Sequence, residues 1–240
     1  MNIAWISSSM PNARARGGFG IQGGNLIPLL TRRHRVDLIS LVSPDDTGHT
    51  DWVKQYCARV ETIPVRRFGF VQRAASFASG YLRGRYLNHA AEIERLLWSG
   101  LKSRSWDVLH IEGGFVAGLI PRGLPVPKVL AVHDAEVLRC QELLRCKLSL
   151  RARLRCTIQR YYEPRYERRV YPRFDHCVMV AERDMLFNQE LVPKARFSFI
   201  PYGIDTNYFH PQPATKVPFS LVFHGNLNYI PNVEAASALE

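Results

Sequence analysis

Three short segments of this 240-residue chain collect residue types that can do chemistry. In Val129-Leu130-Ala131-Val132-His133-Asp134-Ala135-Glu136 an apolar run leads straight into a histidine and two carboxylates. A histidine titrates near neutral pH, so His133 can move a proton or hold a substrate hydroxyl. Asp134 and Glu136 are placed to accept hydrogen bonds from the same ligand. A metal site would want a second histidine at helical spacing, which this segment lacks. In His110-Ile111-Glu112-Gly113-Gly114, Glu112 is a further acceptor at the end of an apolar run, though such a residue is as often a plain surface carboxylate at a turn. The third segment is Gly17-Gly18-Phe19-Gly20-Ile21-Gln22-Gly23-Gly24, where Gly18, Gly20 and Gly23 formally satisfy GxGxxG. A dinucleotide fingerprint opens immediately after its strand, whereas here about ten residues intervene. The general physics survives. Glycines at a helix N-terminus let backbone N–H groups approach a phosphate, and the helix dipole favours it.

The elements that must carry these segments alternate between strand and helix. Short apolar runs at 2–7, 36–42, 60–65, 107–111, 128–132, 175–180 and 196–200 read as strands. Helical patterns fill 22–33, 70–101 (broken near Gly80 and Gly84), 150–171 (basic, amphipathic and bent at Pro164) and 182–191. This alternation predicts an α/β fold with a doubly wound parallel sheet. In such sheets ligands bind beyond the carboxyl ends of the strands, where His133 and Glu112 fall.

Composition narrows the function. Hydrophobic residues make up 46% of the chain, ample for a core. No stretch is long and apolar enough to span a bilayer, and Met1-Asn2-Ile3-Ala4-Trp5-Ile6 reads as a first strand in place of a signal peptide. Five cysteines without paired spacing predict reduced cytosolic thiols. The net charge of +11 favours anionic partners. It concentrates in 139–173, where eleven Lys/Arg face three Glu, a net of +8. A second basic stretch, Arg66-Arg67-Phe68-Gly69-Phe70-Val71-Gln72-Arg73, leads into Phe77, Tyr81, Arg83, Arg85 and Tyr86. Phe70, Phe77 and Tyr81 share one helical face, either as core or as a footprint on an anionic membrane.

The last third of the chain carries a resemblance. Phe199-Ile200-Pro201-Tyr202-Gly203-Ile204-Asp205-Thr206-Asn207-Tyr208-Phe209-His210-Pro211 resembles the interdomain linker of family-4-type retaining glycosyltransferases. Gly17-Gly18, His34-x-Val36-x-Leu38, His133, the Tyr166-Glu167 to Asp175 stretch and Phe223-His224-Gly225-Asn226-Leu227-Asn228-Tyr229-Ile230-Pro231-Asn232 resemble other family segments in the same order. Tyr202 stands where the family usually has Asn, Ala181 where Ser is common, and no basic residue is evident around Gly225.

The resemblance implies the N-terminal half of a GT-B fold. Residues 1–205 would form a Rossmann-like acceptor domain, 206–218 the linker, and 219–240 the first strand and helix start of a truncated donor domain. It implies transfer of a sugar from a nucleotide-sugar donor to a glycan or lipid-linked acceptor, with retention, in cell-envelope or exopolysaccharide synthesis. Gly17 and Gly18 would touch the donor diphosphate, and His133 would be catalytic. Glu112, Asp134 and Glu136 would bind acceptor or sugar, while Gly225 and Asn226 would lie on the donor side. No cofactor or metal would be needed, and the protein would be cytoplasmic, peripheral on the inner membrane face. The alternative is an acceptor- or membrane-binding fragment without catalysis. Sugar-nucleotide epimerases share the implied fold, but the linker favours transferases. Nucleic-acid binding fits the charge yet finds no recognition motif, so no nucleic-acid partner is expected.

Overall fold

The computed structural model describes residues 1–12, 18–43, 50–103, 105–207, 209–211, 217–225, 227 and 230–239, with the side chain of Phe19 set aside. Seven strands form one sheet: β1 (Asn2–Ser7), β2 (Arg35–Val42), β3 (Arg59–Pro64), β4 (Val108–Glu112), β5 (Lys128–Val132), β6 (His176–Met179) and β7 (Phe197–Phe199). Every pairing is parallel, in the order β3-β2-β1-β4-β5-β6-β7. The chain winds outward from β1 through β2 to β3, then crosses back to β4 and winds the other way. The switch point, where neighbouring crossovers leave to opposite sides and open a crevice, therefore lies between β1 and β4.

Strands covered on both faces should be apolar at every position, and β1 buries its last five residues. Alternation divides them. Ile3 and Trp5 join Ile27 of α1 (Gly18–Leu30) and Val53 of α2 (Thr50–Lys54) in one cluster. Ala4 and Ile6 join the other, with Ile93 and Leu97 of α4 (Ala90–Ser103) and Tyr166 and Val170 of α7 (Leu150–Val170). The fold is thus a doubly wound α/β sandwich, as the alternating pattern predicts. All five cysteines are free thiols. No described helix is long and apolar enough to cross a membrane.

Several elements differ from expectation. Helix α1 starts at Gly18, four residues early, so the glycine segment forms its first turns rather than a loop ahead of it. The Gly20 carbonyl accepts from Asn12 N–H at 2.8 Å, pinning the helix start to the loop after β1. The helical stretch 70–101 is two helices, α3 (Phe70–Arg83) and α4, and it breaks at Gly84 but not at Gly80. Gly84 has φ 62°, a left-handed cap that glycine adopts without strain. Gly80 stays helical because it is a contact: a Cβ there would lie 2.2 Å from the Tyr162 hydroxyl. Helix α7 continues through Pro164, and its N-terminus is capped by Ser149, which accepts from Ala152 N–H at 3.3 Å. Three helices escaped the sequence pattern, α2, α5 (Gly114–Ala117) and α6 (Glu136–Leu143), all too short to show a period. Then α8 (Glu182–Leu191) precedes β7, and α9 (Ile230–Ser237) closes the described chain. The strand expected from 219 is not formed, for residues 217–225 carry none; an isolated strand has no ladder to join.

Candidate functional site

The register of the sheet builds the site. Trp5 sits opposite His110 across β1 and β4, and their rings pack with centroids 3.8 Å apart. Two residues on, and so on the same face, Glu112 ends β4 at the switch point, 1% exposed. His133, just past β5, is buried beside it, and its Nε2 lies 3.0 Å from Glu112 Oε1. Its Nδ1 pairs with the hydroxyl of Tyr202, a half-exposed residue beyond β7. Residues from β4, β5 and the linker-like segment thus form one row running from the buried floor to solvent.

Hydrogen-bond chemistry orders that row. An ionised carboxylate only accepts, so His133 Nε2 carries the proton shared with Glu112. In the neutral ring Nδ1 then accepts from the Tyr202 O–H. Burial alone would push Glu112 upward, but its hydrogen bonds and charge interactions with His110 and His133 outweigh that and hold the carboxyl below its ordinary range. His110 Nε2 stands 3.4 Å from Oε2. Tyr202 is pushed up to about 12, by burial first and then by the charges of Asp134 and Glu112, and so remains a donor.

The other expected residues are placed unequally. Gly18 heads α1 near Tyr202: a Cβ on Gly18 would come 3.9 Å from the Tyr202 hydroxyl, ordinary contact. Gly17 and Asn226 lie outside the described residues. Asp134 is exposed at the rim, yet packing around its carboxyl and the charge of Glu136 raise its pKa. Glu136 is bound by Arg139, which donates from Nε at 2.9 Å and Nη2 at 2.5 Å, so its side chain is engaged within α6. Gly225 falls in irregular chain, where a Cβ would meet Asn232 at 2.9 Å. The structure therefore unites His133, Glu112 and Gly18 and leaves Gly225 apart. The sequence analysis missed Tyr202 and His110 as members of the site. For Tyr202 a signal existed, its departure from the usual linker asparagine.

Behind the site, α6 and α7 trap carboxylates that the basic composition of 139–173 conceals. Glu167 is fully buried, its Oε1 accepting from the Tyr171 hydroxyl at 3.4 Å, and burial followed by Glu163 and Glu136 drives it far above the ordinary range. Glu163 is pushed up to about 8 from an ordinary 4.5, by burial first and Glu136 second, with Arg139 opposing. The folded state therefore keeps a proton that the unfolded chain gives up near pH 4.5. That stability is present below this pH and is lost as pH climbs from about 4.5 to about 8. Glu163→Gln, neutral throughout, should be more stable than the parent at pH 8 by on the order of 2 kcal/mol and equal to it near pH 4. Urea unfolding at the two pH values reads this out, and equal stability at pH 8 would refute the raised Glu163 carboxyl.

Among the described residues, no group of three or more His, Cys, Asp or Glu is arranged to hold a metal ion. A groove of about 810 Å³ lies away from the row and is lined by Arg83, Arg85, Arg122 and Arg173 among others. Two of these guanidinium groups brace backbone, Arg173 donating to the Gly84 carbonyl at 2.7 Å and Arg122 to that of Arg83 at 3.2 Å, while Arg85 pairs with Glu94.

No protein-family model and no curated protein matches the chain. Solved structures with a similar course exist. A UGT transferase from Siraitia grosvenorii in complex with UDP shares 11% identity at a TM-score of 0.47, over 83% of this chain and 50% of that one. Phytolacca americana UGT2, complexed with UDP-2fluoro-glucose and pterostilbene, shares 13% at 0.49, over 86% and 54%. Arabidopsis thaliana UGT89C1 complexed with UDP shares 8% at 0.47, over 85% and 54%. The chain spans about half the length of each of these proteins.

Proposed function

We propose that this chain is the acceptor-side part of a nucleotide-sugar glycosyltransferase of the retaining, family-4 type. One observation carries the proposal: the linker-like segment folds over the carboxyl edge of the sheet and sets Tyr202 against both His133 and the Gly18 end of α1. The resemblance assigned Gly18 and His133 to one cleft, and Tyr202 of the linker-like segment meets both beside the switch point, where such sheets bind ligands. A buried carboxylate that orients a histidine, whose second nitrogen faces the cleft, is a positioning device.

In the reaction, an acceptor hydroxyl attacks the anomeric carbon and the nucleoside diphosphate leaves with the bonding electrons. The acceptor hydroxyl passes its proton to the departing diphosphate oxygen, and the sugar keeps its anomeric configuration. The N–H groups at the start of α1 would face the diphosphate. Glu112 fixes His133 with Nδ1 toward the cleft. A hydroxyl of the transferred sugar takes the place that the Tyr202 hydroxyl occupies. Preorganised donors at the leaving group supply the main stabilisation. The acceptor is a glycan or a lipid-linked saccharide of envelope or exopolysaccharide synthesis, met at the cytoplasmic face of an anionic membrane.

Radiolabelled nucleotide sugars, supplied one at a time with a membrane lipid extract, test the proposal on the full-length protein. Label should enter the lipid or glycan fraction from one donor, with the donor's anomeric configuration kept by NMR. Inverted product refutes retention. Acceptor binding with no transfer from any donor favours the non-catalytic alternative.

A further inference from the structure

Helix α7 has two apolar faces, and only one of them is covered. At about 3.6 residues per turn, Cys156, Tyr162, Tyr166 and Val170 fall on one side and are buried. Leu150, Leu154, Ile158 and Tyr161 fall on the opposite side and face solvent at 86%, 62%, 46% and 67% exposure. A surface helix ordinarily turns charge to the water and its apolar stripe to the core. Here arginines take the flanks, Arg151 and Arg155 along one edge of the exposed stripe, Arg153 and Arg160 along the other. No carboxylate occurs from 147 to 162.

Helix α3 extends this surface. It runs beside α7 in the same direction: Phe77 stacks on Tyr162 with centroids 4.3 Å apart, and Arg169 donates to the Tyr81 carbonyl at 2.8 Å. The aromatic face expected for the membrane is therefore split, with Phe77 and Tyr81 turned onto α7 and Phe70 left in solvent. Phe70, Val71 and Leu82 are exposed on α3. From 65 to 91 the chain holds five arginines and again no carboxylate. Isolated exposed apolar residues are ordinary. Two packed helices that both leave large apolar side chains exposed, in stretches where arginines outnumber carboxylates although Arg66 and Arg85 pair with Glu92 and Glu94, form a patch that wants a partner.

We propose that the paired outer faces of α3 and α7 dock on an anionic lipid bilayer, with the leucines, isoleucine and aromatics in the acyl boundary and the arginines on lipid phosphates. Charge complementarity selects the bilayer: cations line both edges of the stripe, as in helices lying in the membrane interface, and long arginine side chains can reach phosphates while their stems stay among apolar groups. The proposal rests on the membrane attachment in the function above but not on sugar transfer. Helix α7 starts on the His133 side of the sheet and ends at the foot of β6. Leu150 and Leu154 therefore lie at the end nearer the cleft, where a lipid-borne acceptor would arrive.

Co-sedimentation with vesicles of phosphatidylglycerol and phosphatidylcholine in roughly equal parts, against phosphatidylcholine alone, tests this. The protein should pellet with the anionic vesicles at low salt and be released by about 0.5 M NaCl, where the Debye length is only a few ångströms. Leu154→Glu with Ile158→Glu should weaken the partition at least about tenfold. Arg153→Gln with Arg155→Gln should weaken it about tenfold and flatten its salt dependence. Both pairs sit on exposed positions, and thermal melts matching the parent show that folding is kept. Three results overturn the proposal: wild type remaining in the supernatant at low salt, a glutamate variant that binds as wild type does, or a stripe that instead buries itself in a dimer dispersed by the same substitutions. Sugar transfer without vesicle binding would sink the docking surface alone. Vesicle binding without transfer would sink the transferase and leave the surface standing.

Discussion

Under the proposed function, alanine at His133 is expected to lower kcat/KM for sugar transfer by about a hundredfold or more, in line with the loss of a positioned histidine. The size follows from geometry. His133 is buried, its Nε2 is committed to Glu112 at 3.0 Å, and its Nδ1 faces Tyr202 at the cleft. Truncation removes the one group in the row that can meet substrate with a nitrogen, and leaves Glu112 as a buried carboxylate one donor short. Glu112→Gln should cost less, about tenfold, because an amide oxygen can still accept from Nε2 but carries no charge to favour the protonated ring. Tyr202→Phe removes a hydroxyl that the sugar is expected to displace, so KM should change little or fall while kcat is kept. Turnover of the His133→Ala enzyme equal to the parent, with an unchanged melt, removes His133 from the mechanism.

The parts of the molecule that were legible before folding were those whose signal is local. Helix α8 spans the predicted 182–191, and β1 and β5 match their apolar runs, because a buried parallel strand must be continuously apolar. His133 and Glu112 were legible as strand-end residues, but nothing local says that β4 and β5 are neighbours in the sheet. Their contact needed the crossover order. Tyr202 reaches His133 across sixty-nine positions, and only its oddness within a familiar linker pointed to it. Composition misled at 139–173. The net positive count concealed Glu163 and Glu167 between α6 and α7, where two carboxylates count for more than several exposed arginines. Periodicity misled on α7 as well, since apolar residues on opposite faces cancel, and the pattern does not say which face meets water.

The second large effect lies in the core, at Gly100. On helix propensity alone, Gly100→Ala should stabilise α4 by about 1 kcal/mol. Packing reverses the sign. A Cβ at Gly100 would stand 1.9 Å from Cη2 of Trp106 and within 2.7 Å of two further ring atoms. The indole cannot simply withdraw, because it is buried and its Nε1–H donates to Asp37 Oδ2 at 3.0 Å, a carboxylate itself buried on β2. Moving the ring forfeits a hydrogen bond to a charged acceptor, about 1.5–3 kcal/mol, on top of an overpacking cost of about 1–3 kcal/mol. Net of the propensity gain, the alanine variant should be about 2–4 kcal/mol less stable, with a melting temperature lower by roughly 5–15 °C. Trp106→Phe in the same chain frees the space where the outer indole ring stood. The double variant should therefore lose less than the sum of the two single losses, the non-additivity expected of side chains in contact. Thermal and urea unfolding of the parent, both single variants and the double decide it. A Gly100→Ala protein as stable as the parent, or strictly additive losses, would mean that α4 and Trp106 are not packed as described.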